Sequence, residues 1–181
     1  WAMGRAMDDE IIAAFTGQAY AGVDGATPVA LPSGQKVEAS TAGMTVAKLL
    51  AAKEILDGND VDEQIPRFLA LTSRQVSDLL NTTEVKSSDY NTVKALAQGE
   101  IDSFLGFKFL RTERLGLDSN DDRQAVAWAR DGVALAMGKE PVARIDERPD
   151  KNYATQVFYS MAIGATRLEE EKVVEIACVE S

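Results

Sequence analysis

The chain has 181 residues, 45% of them hydrophobic, and a formal charge of −10 from 29 acidic and 19 basic side chains. That length can bury a core as one domain or two lobes. No basic stripe is present for a nucleic-acid duplex, the acidic balance disfavours docking on an anionic membrane, and no apolar run reaches the length of a membrane span.

There is no histidine, and Cys178 is the single cysteine. This removes the usual neutral-pH proton shuttle, histidine-based triads, most zinc and iron sites and any disulfide within the chain. A catalyst built here would have to use carboxylates or lysine.

The first stretch, Trp1 to Thr16, carries Met3, Met7, Ile11 and Phe15 at every fourth position. That period predicts a helix buried along one face, stopped by a left-handed Gly17. The helix begins without a Ser, Thr or Asp cap. The expectation is a C-terminal part of a longer protein, whose earlier residues supply the first turns. Gln18 to Gly43 is rich in Gly, Pro, Thr and Ala and reads as a hairpin or surface excursion with mobile turns, with a short strand near Val29–Pro32.

Thr45 caps the next helix, whose stripe is Val46, Leu49, Leu50, Lys53 and Leu56, closing with a left-handed stop at Asp57-Gly58-Asn59. Arg67–Leu71 follows Pro66 as a buried strand, and a helix with Val76, Leu79 and Leu80 starts at Thr72 or Ser73. Asn81 to Asp89 reads as a loop. Tyr90, Val93, Leu96 and Ala97 suggest a short helix closed by Gly99. Phe107 to Thr112 alternates as a strand, 116–122 is a turn-rich acidic loop, and 124–128 resembles a central strand. Val133–Met137 fits a strand or a short helix. Beyond Pro141, the turn Pro149–Asn152 leads into a long period-two run from Tyr153 to Met161. Gly164 to Glu171 reads as a charged connection, and Val173–Val179 as a last strand that buries Cys178.

Few side chains here carry chemistry. Asp8, Asp9 and Glu10 are adjacent on a helix and diverge by about 100° each, so they do not converge on an ion. Asp118, Asp121 and Asp122 lack the spacing and closing glutamate of a calcium loop. No phosphate-binding glycine motif appears. Cys178 has no histidine partner and sits in an apolar run. The charged strand end Arg111, Glu113, Arg114 is the candidate contact between subunits, against the plainer reading of a surface salt link of little worth. The residues therefore predict no catalytic site, no metal and no cofactor.

Four stretches carry a resemblance: AMGRAMDDEIIAAFTG (2–17), LTSRQVSDLLNTTEVKSSDYNTVKAL (71–96), GEIDSFLGFKFLRTERL (99–115) and ERPDKNYATQVFYSMAIGATRLEEEKVVEI (147–176). In that order they resemble the C-terminal part of tailed-bacteriophage major capsid proteins. The resemblance implies an α+β capsid fold, with a spine helix packed on long antiparallel strands and an axial α/β lobe. Residues 1–44 would be a peripheral-domain part, 45–138 the axial domain and 139–181 the peripheral return strands. It also implies that the N-terminal arm and extended loop by which such proteins clasp neighbours lie outside these residues. The implied partners are other copies in capsomers and shell, with scaffold, portal or decoration proteins as further candidates. Neither sequence-specific nucleic-acid binding nor membrane attachment is expected. The implied location is the virion head, reached by assembly in the host cytoplasm. The alternatives are a small carboxylate-based α/β enzyme or ligand-binding domain, which would need a deep pocket with converging acids, and a phage adaptor or scaffold module, which would be mainly helical.

Overall fold

The computed structural model describes residues 2–81 and 103–180. The helix and loop expected between residues 82 and 102, and Trp1, lie outside the described residues.

A six-stranded mixed sheet organises the body. Its strands are β3 (Lys36–Val37), β4 (Arg67–Leu71), β5 (Ser103–Phe104), β6 (Phe107–Arg111), β7 (Arg123–Ala129) and β10 (Val173–Cys178), in the order β3-β10-β7-β4-β6-β5. β4 pairs parallel to β6 and antiparallel to β7, and β10 pairs antiparallel to β7. The central strands are apolar on both sides because both faces are covered. Ala125, Ala127 and Ala129 of β7, Leu69 and Leu71 of β4, and Val174, Ile176 and Cys178 of β10 form one core with α2 (Val46–Gly58) and α3 (Ser73–Asn81). On the opposite face, Val126 and Val173 pack with Leu31 and with Phe15 of α1 (Ala2–Thr16).

Local chemistry sets the helix ends. Thr45 accepts the Lys48 N–H at 3.3 Å, the predicted cap of α2. Ahead of α3, the Thr72 N–H donates to Gln75 Oε1 at 3.0 Å and the Gln75 N–H to Thr72 Oγ1 at 3.3 Å, a capping box with Gln in the return position.

Two predicted glycine stops are corrected. Gly58 ends α2, but the left-handed residue is Asp60, φ 54°. The Val61 N–H reaches Leu56 O and the Asp60 N–H reaches Asp57 O, both at 3.2 Å, a Schellman closure whose apolar contact is Leu56 with Val61. Gly17 is not left-handed either. A Cβ there would stand 2.5 Å from Ala13 O, so glycine is required by close approach. The α2 stripe is rotated as well. Lys48 and Ala52 are buried with Val46, Leu49 and Leu56, while Leu50 is exposed.

Residues 18–43 are more ordered than their composition suggests. β1 (Ala19–Ala21) and β2 (Thr27–Val29) pair antiparallel around Gly22 and Gly25, both at positive φ. A 3-10 turn at Ser33–Gln35 then leads into β3.

The segment expected to be strand or short helix is a strand. β8 (Val133–Arg148) and β9 (Ala154–Arg167) form a separate antiparallel hairpin. The expected connection from Gly164 is strand as far as Arg167, because Gly164, Ala165, Thr166 and Arg167 keep pairing with Ala136, Leu135, Ala134 and Val133. The register slips between Met137 and Val142, where β8 holds two more residues than β9. Pro141, which lacks an N–H to give to a ladder, falls in this slip. The expected boundary at 138/139 lies inside the same irregular part of β8.

Leu69, fully buried at the sheet centre, and Leu110, about half exposed on β6, give a direct test of this packing. Leu69→Ala is expected to cost about 3 kcal/mol in urea unfolding, and Leu110→Ala less than about 0.5 kcal/mol.

Candidate assembly surfaces

The hairpin root is fixed by one side chain. Arg167, at the end of β9, is 4% exposed. Its Nη1 donates to Phe15 O at 2.8 Å, to Gly17 O at 2.5 Å and more weakly to Ala14 O at 3.4 Å. Its Nη2 donates to Val29 O at 3.0 Å. A helix C-terminus leaves its last carbonyls without intrahelical donors, and α1 has no basic residue in its last turn. Arg167 supplies that charge from a distant strand. One guanidinium therefore binds α1, β2 and β9 together. α1 packs against β9 and, less extensively, β8. Along α1 only Phe15 is buried, while Met3, Met7 and Ile11 are half-buried, so the predicted stripe is covered incompletely.

At the predicted charged strand end, Glu113 and Arg114 are held by partners inside the chain. Glu113 Oε1 accepts the Ser73 N–H at 2.7 Å, which caps α3 and holds the Glu113 carboxyl below the usual carboxylate range. The Arg114 Nε and Nη2 donate in bidentate fashion to Asp9 of α1, lowering the Asp9 pKa and raising that of Arg114. The acidic run of α1 thus includes a tether to the sheet. Arg111 borders an open groove of about 380 Å³ between α1 and the sheet, lined by Asp8, Ile11, Ile12, Phe15, Ala70, Leu110 and Trp128. Trp128 closes its floor between Phe15, at 4.6 Å between ring centroids, and Phe68, at 5.6 Å.

The remaining candidates take part in structure. Asp118 accepts the N–H groups of Asn120 and Asp122 at 2.7 and 2.9 Å, which lowers its pKa and folds the acidic loop. Asp131 and Glu169 both pair with Lys172, at 2.7 and 3.0 Å. Hydrogen bonds hold the carboxyls of Asp9, Glu113, Asp118 and Asp131 below the usual carboxylate range. Among the described residues no group of three acidic or cysteine side chains is placed to hold a metal ion. No helix among them is long and apolar enough to cross a membrane. Lys48 is buried and donates through Nζ to Ala42 O at 2.7 Å and Ala177 O at 2.8 Å, and burial lowers its pKa. Cys178, fully buried nearby, has its thiol pushed up to about 11 by burial.

Sequence reasoning missed Arg167, which it placed in a charged connection, and Lys48, which it left out of the α2 stripe. The available signal was a lone basic residue among apolar and small neighbours, as in IGATRL and VAKLL.

The hairpin carries several exposed apolar side chains. Beyond the register slip, Ile145, Tyr153, Val157, Phe158 and Tyr159 are each more than half exposed.

The architecture is that of the capsid shells of tailed phages and encapsulins. The capsid structure of cyanophage P-SCSP1u superposes with a TM-score of 0.71 at 18% identity, covering 99% of this chain and 63% of that one. The capsid of Ralstonia phage GP4 gives a TM-score of 0.71 at 10% identity, covering 99% and 65%. The SrpI encapsulin complex of Synechococcus elongatus gives 0.62 at 11% identity, covering 99% and 62%. At these identities the likeness shows the fold alone, and the chain spans less than two thirds of the length of each of these relatives. No curated protein matches the sequence. The family model described as phage capsid protein matches residues 1–180, and the chain belongs to that family.

Arg167→Met should leave four carbonyls without their donor and cost about 3 kcal/mol in urea unfolding. Arg167→Lys should recover only a small part of this, because a single ammonium cannot span the fork. Cys178 should resist thiol reagents at pH 8 in the folded protein and react fully in denaturant. Rapid labelling of the native chain would contradict its burial.

Proposed function

We propose that this chain is the shell-forming part of a major capsid protein of a tailed phage or prophage. Copies assemble in the host cytoplasm into an icosahedral head that encloses DNA. The observation that carries the reading is the family match over residues 1–180, and the fold likeness over 99% of the chain supports it. In this reading α1 is the end of a spine helix. Residues 1–44 and 139–181 contribute the peripheral parts, and residues 45–138, with α2, α3 and most of the central sheet, contribute the axial lobe. Arg111, which borders the α1–sheet groove, and the neighbouring Glu113 and Arg114 are then subunit-facing charges. Scaffold, portal or decoration proteins are the further partners of such a shell. The role is structural and needs no catalytic group, metal or cofactor. The net charge of −10 suits a shell that must release its DNA, since it offers the phosphates no counterion-replacing stripe.

The likeness to an encapsulin supports a second reading, a shell that holds no genome. Nuclease-resistant DNA inside particles recovered from the native host separates the two. For the primary reading, the full-length protein is expected to form closed particles of uniform diameter, seen by electron microscopy and sedimentation, whereas residues 1–181 alone give a monomer or a small, concentration-dependent oligomer. A full-length protein that stays monomeric at every concentration would overturn it.

A further inference from the structure

We propose that Asp24, in the turn between β1 and β2, is a spontaneous modification site, where the Asp24-Gly25 linkage closes to a succinimide and reopens as isoaspartate. The inference is independent of the shell reading.

The chain holds three Asp-Gly sequences, Asp24-Gly25, Asp57-Gly58 and Asp131-Gly132, and no Asn-Gly. Glycine has no Cβ to crowd the approach of its nitrogen to the preceding carboxyl, and its backbone turns freely. When that nitrogen attacks the aspartate Cγ, the N–Cγ bond forms and the carboxyl hydroxyl leaves as water with the proton of the N–H. Water then adds to a ring carbonyl. Addition at the aspartate α-carbonyl breaks its bond to the glycine nitrogen, so the chain runs on through Cγ and the α-carboxylate is set free. Water lost is water regained, and no oxidant or cofactor is consumed.

The fold locks two of these sequences. Asp57 accepts from Arg67 Nη1 at 2.6 Å. Gly58 is the last residue of α2, where a helical N–H is turned back to the preceding turn. Asp131 accepts from Lys172 Nζ at 2.7 Å, and the Gly132 N–H donates to Ala129 O at 2.9 Å. Gly132 is also hemmed in, since a Cβ there would stand 2.9 Å from Lys172 Cβ. At both sites the carboxyl and the attacking nitrogen must be released before they meet, which takes local unfolding.

Asp24 is under no such restraint. Residues 20–28 are exposed throughout, and the Asp24 carboxylate has no partner among the described residues. The Gly25 N–H donates to Gly22 O at 3.2 Å, inside the turn itself. Water surrounds that bond and replaces it at little cost. No atom lies within 4 Å of a Cβ built on Gly25, so a ring at this position has room. The added backbone methylene of isoaspartate would meet nothing from the body of the sheet, and the fold survives it.

The test is peptide mapping of the whole chain after weeks at neutral pH. Isoaspartate is counted a second way, by methyl transfer from S-adenosylmethionine through an isoaspartyl carboxyl methyltransferase. In the folded chain Asp24 should gain isoaspartate at least about tenfold faster than Asp57 or Asp131, because only those two wait on local opening. In urea at the same pH the three rates should converge. Asp24→Glu, whose side chain is one methylene too long for the succinimide ring, should remove most of the methyl transfer and leave circular dichroism unchanged. Isoaspartate at Asp57 or Asp131 as fast as at Asp24 in the folded chain overturns the inference. So does isoaspartate at Asp24 only in urea, or methyl transfer undiminished by Asp24→Glu. The shell reading stands or falls separately, on particle formation.

Discussion

The structure depends on a permanent cation placed where a helix runs out of donors. The end of α1 concentrates partial negative charge on its last carbonyls, and Arg167 arrives from a strand more than 130 residues later in the chain to meet them. Burying a guanidinium costs several kcal/mol unless its donors are satisfied. Here Nη1 and Nη2 together find four carbonyls, while Nε has no partner. The result is a joint that fixes the hairpin against α1 and β2 together. A guanidinium stays charged across the physiological pH range, and the chain has no histidine to add a switch in that range.

The same device recurs at α2. Arg67 of β4 is buried and donates from Nη2 to Val61 O at 2.8 Å and from Nη1 to Asp57 at 2.6 Å, at the C-terminal end of that helix. Lys48 performs a related task between Ala42 O and Ala177 O. Three of the 19 basic side chains are thus spent inward on backbone carbonyls, and the surface is left more acidic than the composition alone implies. An acidic exterior keeps bodies apart and makes any neutral, apolar surface the natural place for contact.

How much of this was legible follows from the range of each interaction. Period and local caps announced β4, α3, β6, β7 and β10, because their signals lie within a few residues. The Thr45 cap was visible for that reason. The glycine stops failed because composition marks where a chain can turn left-handed without marking that it does. Asp60 took the role expected of Gly58, and Gly17 was needed for a close carbonyl. The register of β8 with β9, the tether from Arg114 to Asp9 and the reach of Arg167 join residues far apart in sequence, and no local pattern encodes them. The charged strand end was recognisable as unusual, but its partners Ser73 and Asp9 lie 40 and 105 residues away.

The edge of the hairpin is built against strand addition. A free strand edge pairs indiscriminately unless something blocks it. β8 places Gly138 and Pro141 in a register slip, and Pro141 has no N–H to offer a neighbouring strand. Lys139, Arg144 and Arg148 add charge along the same strand. These features disfavour continuous edge-to-edge growth while leaving Ile145, Val157 and Tyr159 in line on one side. The buried Arg167 root fixes this ribbon to α1 and β2.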